Sequence, residues 1–98
     1  MPLPPGHYRI VAYRGFHDLP RLMWVDDEAS RPWLLDCPFD DALDDYPAEY
    51  RVHTVDIDVE GAVEPWEKHA LGLLPMVGTV PVAALHFDAT HRTSFRIA

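Results

Sequence analysis

Ninety-eight residues with 48% apolar and 11% aromatic content supply one hydrophobic core in a single domain, residues 1–98, and no second one. Ten prolines and five glycines argue for short elements joined by turns and against a helical bundle. The net charge of −8 is concentrated: residues 26–67 hold fourteen carboxylates against Arg31 and Arg51, while the rest of the chain has a small cationic excess. Such acidity disfavours nucleic acid and anionic membranes as partners, and it also serves solubility.

The opening Met-Pro-Leu-Pro-Pro-Gly-His has neither the basic nor the apolar region of a secretion signal. The single cysteine, Cys37, excludes an internal disulfide. Together these predict a cytoplasmic protein of bacterial type. Residues 7–14 are rich in strand formers, with Tyr8, Ile10 and Ala12 in one phase. Residues 15–20 read as a loop. Residues 22–25 and 33–37 read as a hairpin around the polar turn 26–32, with Trp24 and Trp33 as expected cross-strand neighbours.

Residues 36–50 contain six carboxylates and no Lys, Arg or His. Pro38 and Pro47 bracket Phe39, Leu43 and Tyr46, whose i, i+4, i+7 spacing predicts a short helix. That helix would pack its apolar stripe inward and present Asp40, Asp41, Asp44 and Asp45 to solvent. Residues 49–59 predict a strand whose apolar phase switches, with a bulge near His53–Thr54. Asp56, Asp58 and Glu60 would extend the acidic surface. Pro65 opens a second short helix with Trp66, Ala70 and Leu73 inward. Residues 69–87 lack Asp, Glu, Lys and Arg, but Gly72, Pro75, Gly78 and Pro81 interrupt them, so a membrane span is not expected. Residues 79–87 and 93–97 read as strands around a turn at 88–92. The expected fold is mainly β, with α+β as the alternative: a small bent sheet or partly open SH3-like barrel of five to six strands with one or two short helices.

Catalytic signatures are weak throughout, so an enzyme is not the preferred reading and no cofactor is expected. The acidic window lacks the central glycine and alternating ligands of a calcium loop. Carboxylates around Cys37 disfavour a thiolate, so it reads as a small buried hydrophobe. His86, Asp88 and His91 are the candidates for a metal site, without a Cys pair or other metal-ligand spacing to support them. Trp24 and Trp66 are candidates for lining a small-molecule pocket. The preferred reading is an acidic protein-interaction domain that binds a basic protein through Asp40, Asp41, Asp44, Asp45 and Glu49, flanked by Asp36 and residues 56–60. Tyr46 and Tyr50 would be its aromatic anchors, and an immunity protein or inhibitor is the expected type.

Overall fold

Apolar side chains alternate along most of the strands, so one sheet face gathers them and the sheet curls around that face. The computed structural model of the chain describes residues 3–17, 19–55, 74–88 and 93–97. Within them are seven strands: β1 (Gly6–His17), β2 (Leu19–Asp26), β3 (Pro32–Asp36), β4 (Glu49–Thr54), β5 (Met76–Pro81), β6 (Leu85–Phe87) and β7 (Ser94–Ile97). All neighbouring pairs are antiparallel, in the spatial order β5-β4-β3-β2-β1-β7-β6. The fold is mainly β, a curled half-barrel, as the composition predicts.

The two edge strands, β5 and β6, are consecutive in the chain and joined only by the 3₁₀ turn Val82–Ala84. That short link ties one edge of the sheet to the other and enforces its curl. The single strand expected over 79–87 is divided, with the 3₁₀ turn Val82–Ala84 between β5 and β6. Pro81 has no N–H to donate to a ladder, and the Val82 amide turns to the Ala48 carbonyl at 2.8 Å. The loop expected over 15–20 is instead the end of a long hairpin, with Phe16 opposite Pro20 and His17 opposite Leu19. The predicted bulge is present: the β4–β5 register shifts between Val52 and His53.

Tyr8, Met23, Val25, Trp33, Leu35, Tyr50, Val52, Val80, Leu85, Phe95 and Ile97 fill the concave face, with Leu3 and Cys37. Cys37 is a buried free thiol at the end of β3, in the place expected of a small hydrophobe. The register puts Trp33 opposite Val25 and Trp24 opposite Leu34, so the two tryptophans occupy opposite faces and are not cross-strand neighbours. Trp24, Leu34 and His53 form a row on the outer face, where Leu34 and His53 are themselves buried.

The β2–β3 turn is organised by Asp27. Its carboxylate accepts the Ala29 and Arg31 backbone N–H groups, each at 2.9 Å, and the Trp33 indole N–H at 3.1 Å. Partial burial opposes ionisation of Asp27, but these bonds and the nearby Arg31 charge win, and its pKa falls below the ordinary 3.8. A lowered folded-state pKa adds stability above the ordinary value and loses it as pH falls through the folded value. Asp27→Ala therefore destabilises the protein by about 1–3 kcal/mol at neutral pH, because three donors lose their acceptor. In urea titrations over the acid range, the variant's stability falls less steeply than wild type's below the ordinary carboxylate value. An equally steep acid loss would remove Asp27 from this role.

No helix among the described residues is long and apolar enough to cross a membrane. The second predicted helix, with Trp66, Ala70 and Leu73, lies outside the described residues, as do Asp56, Asp58 and Glu60.

Candidate acidic groove

The chain leaves β3 at Asp36 and returns at Glu49, and the acidic window makes that crossing. It forms a tight turn instead of the predicted helix. Asp40 and Asp45 pair antiparallel, the Asp40 N–H donating to the Asp45 carbonyl at 3.0 Å and the Asp45 N–H to the Asp40 carbonyl at 3.4 Å. Inside that pair, the Asp40 carboxylate accepts the Ala42 N–H at 2.9 Å, and the Asp40 carbonyl accepts the Leu43 N–H at 3.2 Å. Aspartate side chains that capture nearby backbone donors compete with helix formation, and here they win. Asp44 takes φ 51°, a left-handed conformation that Asp tolerates better than most residues.

Phe39 and Tyr46 stand one step outside the Asp40–Asp45 pair. Their rings meet edge to face at 5.3 Å. The Arg21 guanidinium of β2 lies 4.0 Å from the centre of the Tyr46 ring and fastens the turn to the sheet. The inward stripe expected of Phe39 and Leu43 does not exist: they are 48% and 61% exposed. A groove of 520 Å³ lies between this turn and the outer face of β4 and β5. Its walls are Pro38, Phe39, Asp40, Asp41, Ala42 and Pro47, and Glu49, Arg51 and Thr79 complete the lining. Arg51 and Thr79 face each other across the two strands.

Three of the carboxylates singled out from sequence, Asp40, Asp41 and Glu49, thus share one groove. Asp44 and Asp45 are exposed on the turn outside that lining, where the Asp45 carboxylate accepts the Tyr46 N–H at 2.7 Å. Tyr46 is half-buried beneath Arg21. Tyr50 is not an anchor for a partner: it is 0% exposed, and its hydroxyl donates to the Pro20 carbonyl at 2.7 Å. Burial pushes its pKa up, so it stays a phenol donor. The reason is register, since Tyr50 and Val52 point to the concave side and Glu49 and Arg51 to the outer side. Asp36 is likewise not on the exposed acidic surface expected of it. It is 5% exposed and ion-paired to Arg51, so it neutralises a groove cation and does not flank an acidic surface.

Sequence reasoning missed Phe39, Arg51 and Thr79 as groove residues. The i, i+7 relation of Phe39 and Tyr46 was the available signal, because it fits a hairpin pair as well as a helix face. Among the described residues no three His, Cys, Asp or Glu side chains assemble a metal site. His86 and Asp88 lie at the β6 end of the sheet beside Arg96, and His91 is outside the described residues. Trp24 is half-buried on the outer face, and Trp66 is not among the described residues.

Comparison with protein-family models, with curated proteins and with solved structures finds no match to this chain.

Proposed function

We propose that this chain is a protein-interaction domain whose acidic turn and groove capture a basic segment of another protein. The observation that carries this reading is the grouping of Asp40, Asp41 and Glu49 around an exposed phenylalanine, with the one lining arginine already paired to Asp36. Carboxylates of one sign steer a cationic partner and raise its association rate. The exposed Phe39 ring supplies apolar and cation–π contact to an arginine or lysine side chain. The turn is cross-bonded and clamped by Arg21, so little ordering entropy is lost when a partner binds. Small size and one-sided charge fit an immunity protein or inhibitor acting on a basic toxin or nuclease.

Reversing Asp40, Asp41, Asp44 and Asp45 to lysine is expected to weaken capture of the partner by about 100-fold at low salt, with a smaller difference at high salt. Pull-downs from the native host, followed by titration of the recovered partner, measure this. A milder variant, Asp41→Lys with Glu49→Lys, leaves the Asp40 bond to Ala42 in place and keeps the turn intact. A partner that binds both variants as tightly as wild type at every salt concentration would rule the reading out.

A further inference from the structure

The acidic groove borders an edge of the sheet. β5 is an edge strand, and among the described residues no strand lies on its outer side. The Val82 N–H donates to the Ala48 carbonyl, which fixes the phase of the β4–β5 ladder. Tyr50 pairs with Val80 and Glu49 with Pro81, so alternate residues of β5 turn their backbone groups to β4. Val80 is one of these. The Thr79 N–H and carbonyl and the Pro81 carbonyl therefore point away from the sheet, and Thr79 is exposed. Sheet edges are commonly blunted by charged side chains, but β5, Met-Val-Gly-Thr-Val-Pro, has none. Met76 and Val77 are 52% and 46% exposed although they are consecutive. Val52 pairs with Gly78 and His53 with Met76, which leaves Val77 as the extra residue of a bulge. That bulge and Pro81, which lacks an N–H, confine the open ladder to a short stretch about Thr79.

We propose that β5 receives an extended basic segment of the partner protein as an added antiparallel strand, with an arginine or lysine opposite Thr79. The inference rests on the interaction-domain reading above and adds how the partner docks. Side chains directly opposite each other in an antiparallel pair share one face, with Cβ atoms about 5 Å apart. Thr79 lines the acidic groove together with Asp40, Asp41 and Glu49. A residue opposite Thr79 therefore extends its side chain on the face that carries those carboxylates. Backbone bonds at Thr79 hold the segment, and the groove selects its charge. Charge also decides against a second copy as the occupant. Two copies paired edge to edge about Thr79 would set both groups of carboxylates on one face, on chains that each carry −8.

NMR titration at low salt tests this with a capped peptide, Thr-Val-Arg-Val-Thr, as the probe. The Thr79 amide signal is expected to move downfield and its hydrogen exchange to slow as the peptide binds. Methylating the backbone nitrogen of the peptide's arginine removes its bond to the Thr79 carbonyl and weakens binding by about 10-fold. Methylating the nitrogen of either valine, which points away from β5, changes the affinity by less than about twofold. A contact made by charge alone does not distinguish these peptides. Thr79→Pro removes the outward donor from the protein and is expected to weaken binding by about 10-fold as well, with thermal unfolding verifying that the variant is folded.

Equal affinity for the arginine-methylated and valine-methylated peptides would overturn the inference, as would an unmodified peptide that does not bind. So would a wild type that sediments as a dimer and becomes monomeric in Thr79→Pro. Asp41→Lys with Glu49→Lys probes the underlying reading separately, since it weakens binding of the unmodified peptide whether or not a strand is added. Loss in that variant with indifference to methylation ends the strand pairing and leaves the interaction domain standing. Unchanged affinity in that variant removes both.

Discussion

Replacing Phe95 by alanine lowers the unfolding free energy by about 3–5 kcal/mol, the range for truncating a buried aromatic side chain. Phe95 is in the concave core on β7, which lies between β1 and β6. Its ring stacks on Tyr8 at 4.9 Å, with planes 7° apart, and meets the Phe87 ring at 5.5 Å. Truncation removes both ring contacts and leaves a cavity that the paired strands on either side resist closing. Tyr8 is restrained as well, because its hydroxyl donates to the Pro4 carbonyl. Burial, with Asp27 and Glu28 nearby, pushes its pKa to about 12, so this donor persists across the working pH range. Single domains are stable by only about 5–15 kcal/mol, so the loss is a large fraction of the total. For a chain of this length it corresponds to a fall in Tm of more than about 12 °C. Calorimetry measures it, and Phe95→Leu is expected to lose about half as much, because the added side chain refills part of the cavity. A fall of less than about 1 kcal/mol for the alanine variant would mean that these three rings do not share a packed core.

The β character was legible because alternation is a local signal. Tyr8, Val52, Phe95 and Ile97 alternate with polar neighbours and lie on the inner face, whereas Met23, Val25 and Leu35 sit in unbroken apolar runs whose inner phase is set by pairing. The acidic window was legible as a surface but not as a shape. Phe39, Leu43 and Tyr46 satisfy helical spacing, yet Phe39 and Tyr46 also stand opposite each other when Asp40 pairs with Asp45. Periodicity cannot choose between these, whereas capture of the Ala42 amide by the Asp40 carboxylate favours the turn. The division of residues 79–87 was hidden for a different reason. An apolar run reports burial, and only the sheet order reveals that the chain must pass from one edge to the other. The fates of Tyr50 and Asp36 depend on which phase of β3 and β4 faces inward. That phase is set by pairing with residues far along the chain.

Arg51→Leu is expected to destabilise the protein by about 2–3 kcal/mol, below the 3–5 kcal/mol typical of breaking a fully buried pair. The pair is asymmetric: the Asp36 side chain is 8% exposed and the Arg51 side chain 46%. Water therefore already reaches the guanidinium, and the larger cost falls on the carboxylate left behind in a dry position. Replacing both residues by leucine removes the buried charge together with its cation, so the double variant is expected to recover part of the loss. In a double-mutant cycle the coupling energy is then opposite in sign to the sum of the single losses. The same pair sets the charge of the groove. Asp36→Asn removes the countercharge of Arg51 without altering any of the nine groove-lining residues. The groove then presents an uncompensated cation among Asp40, Asp41 and Glu49, and a basic partner is expected to bind about 10-fold more weakly at low salt. Equal affinity for wild type and Asp36→Asn would show that a partner does not sense the charge at the groove floor. It would move any docking contact outward, to the tip formed by Asp41, Leu43 and Asp44.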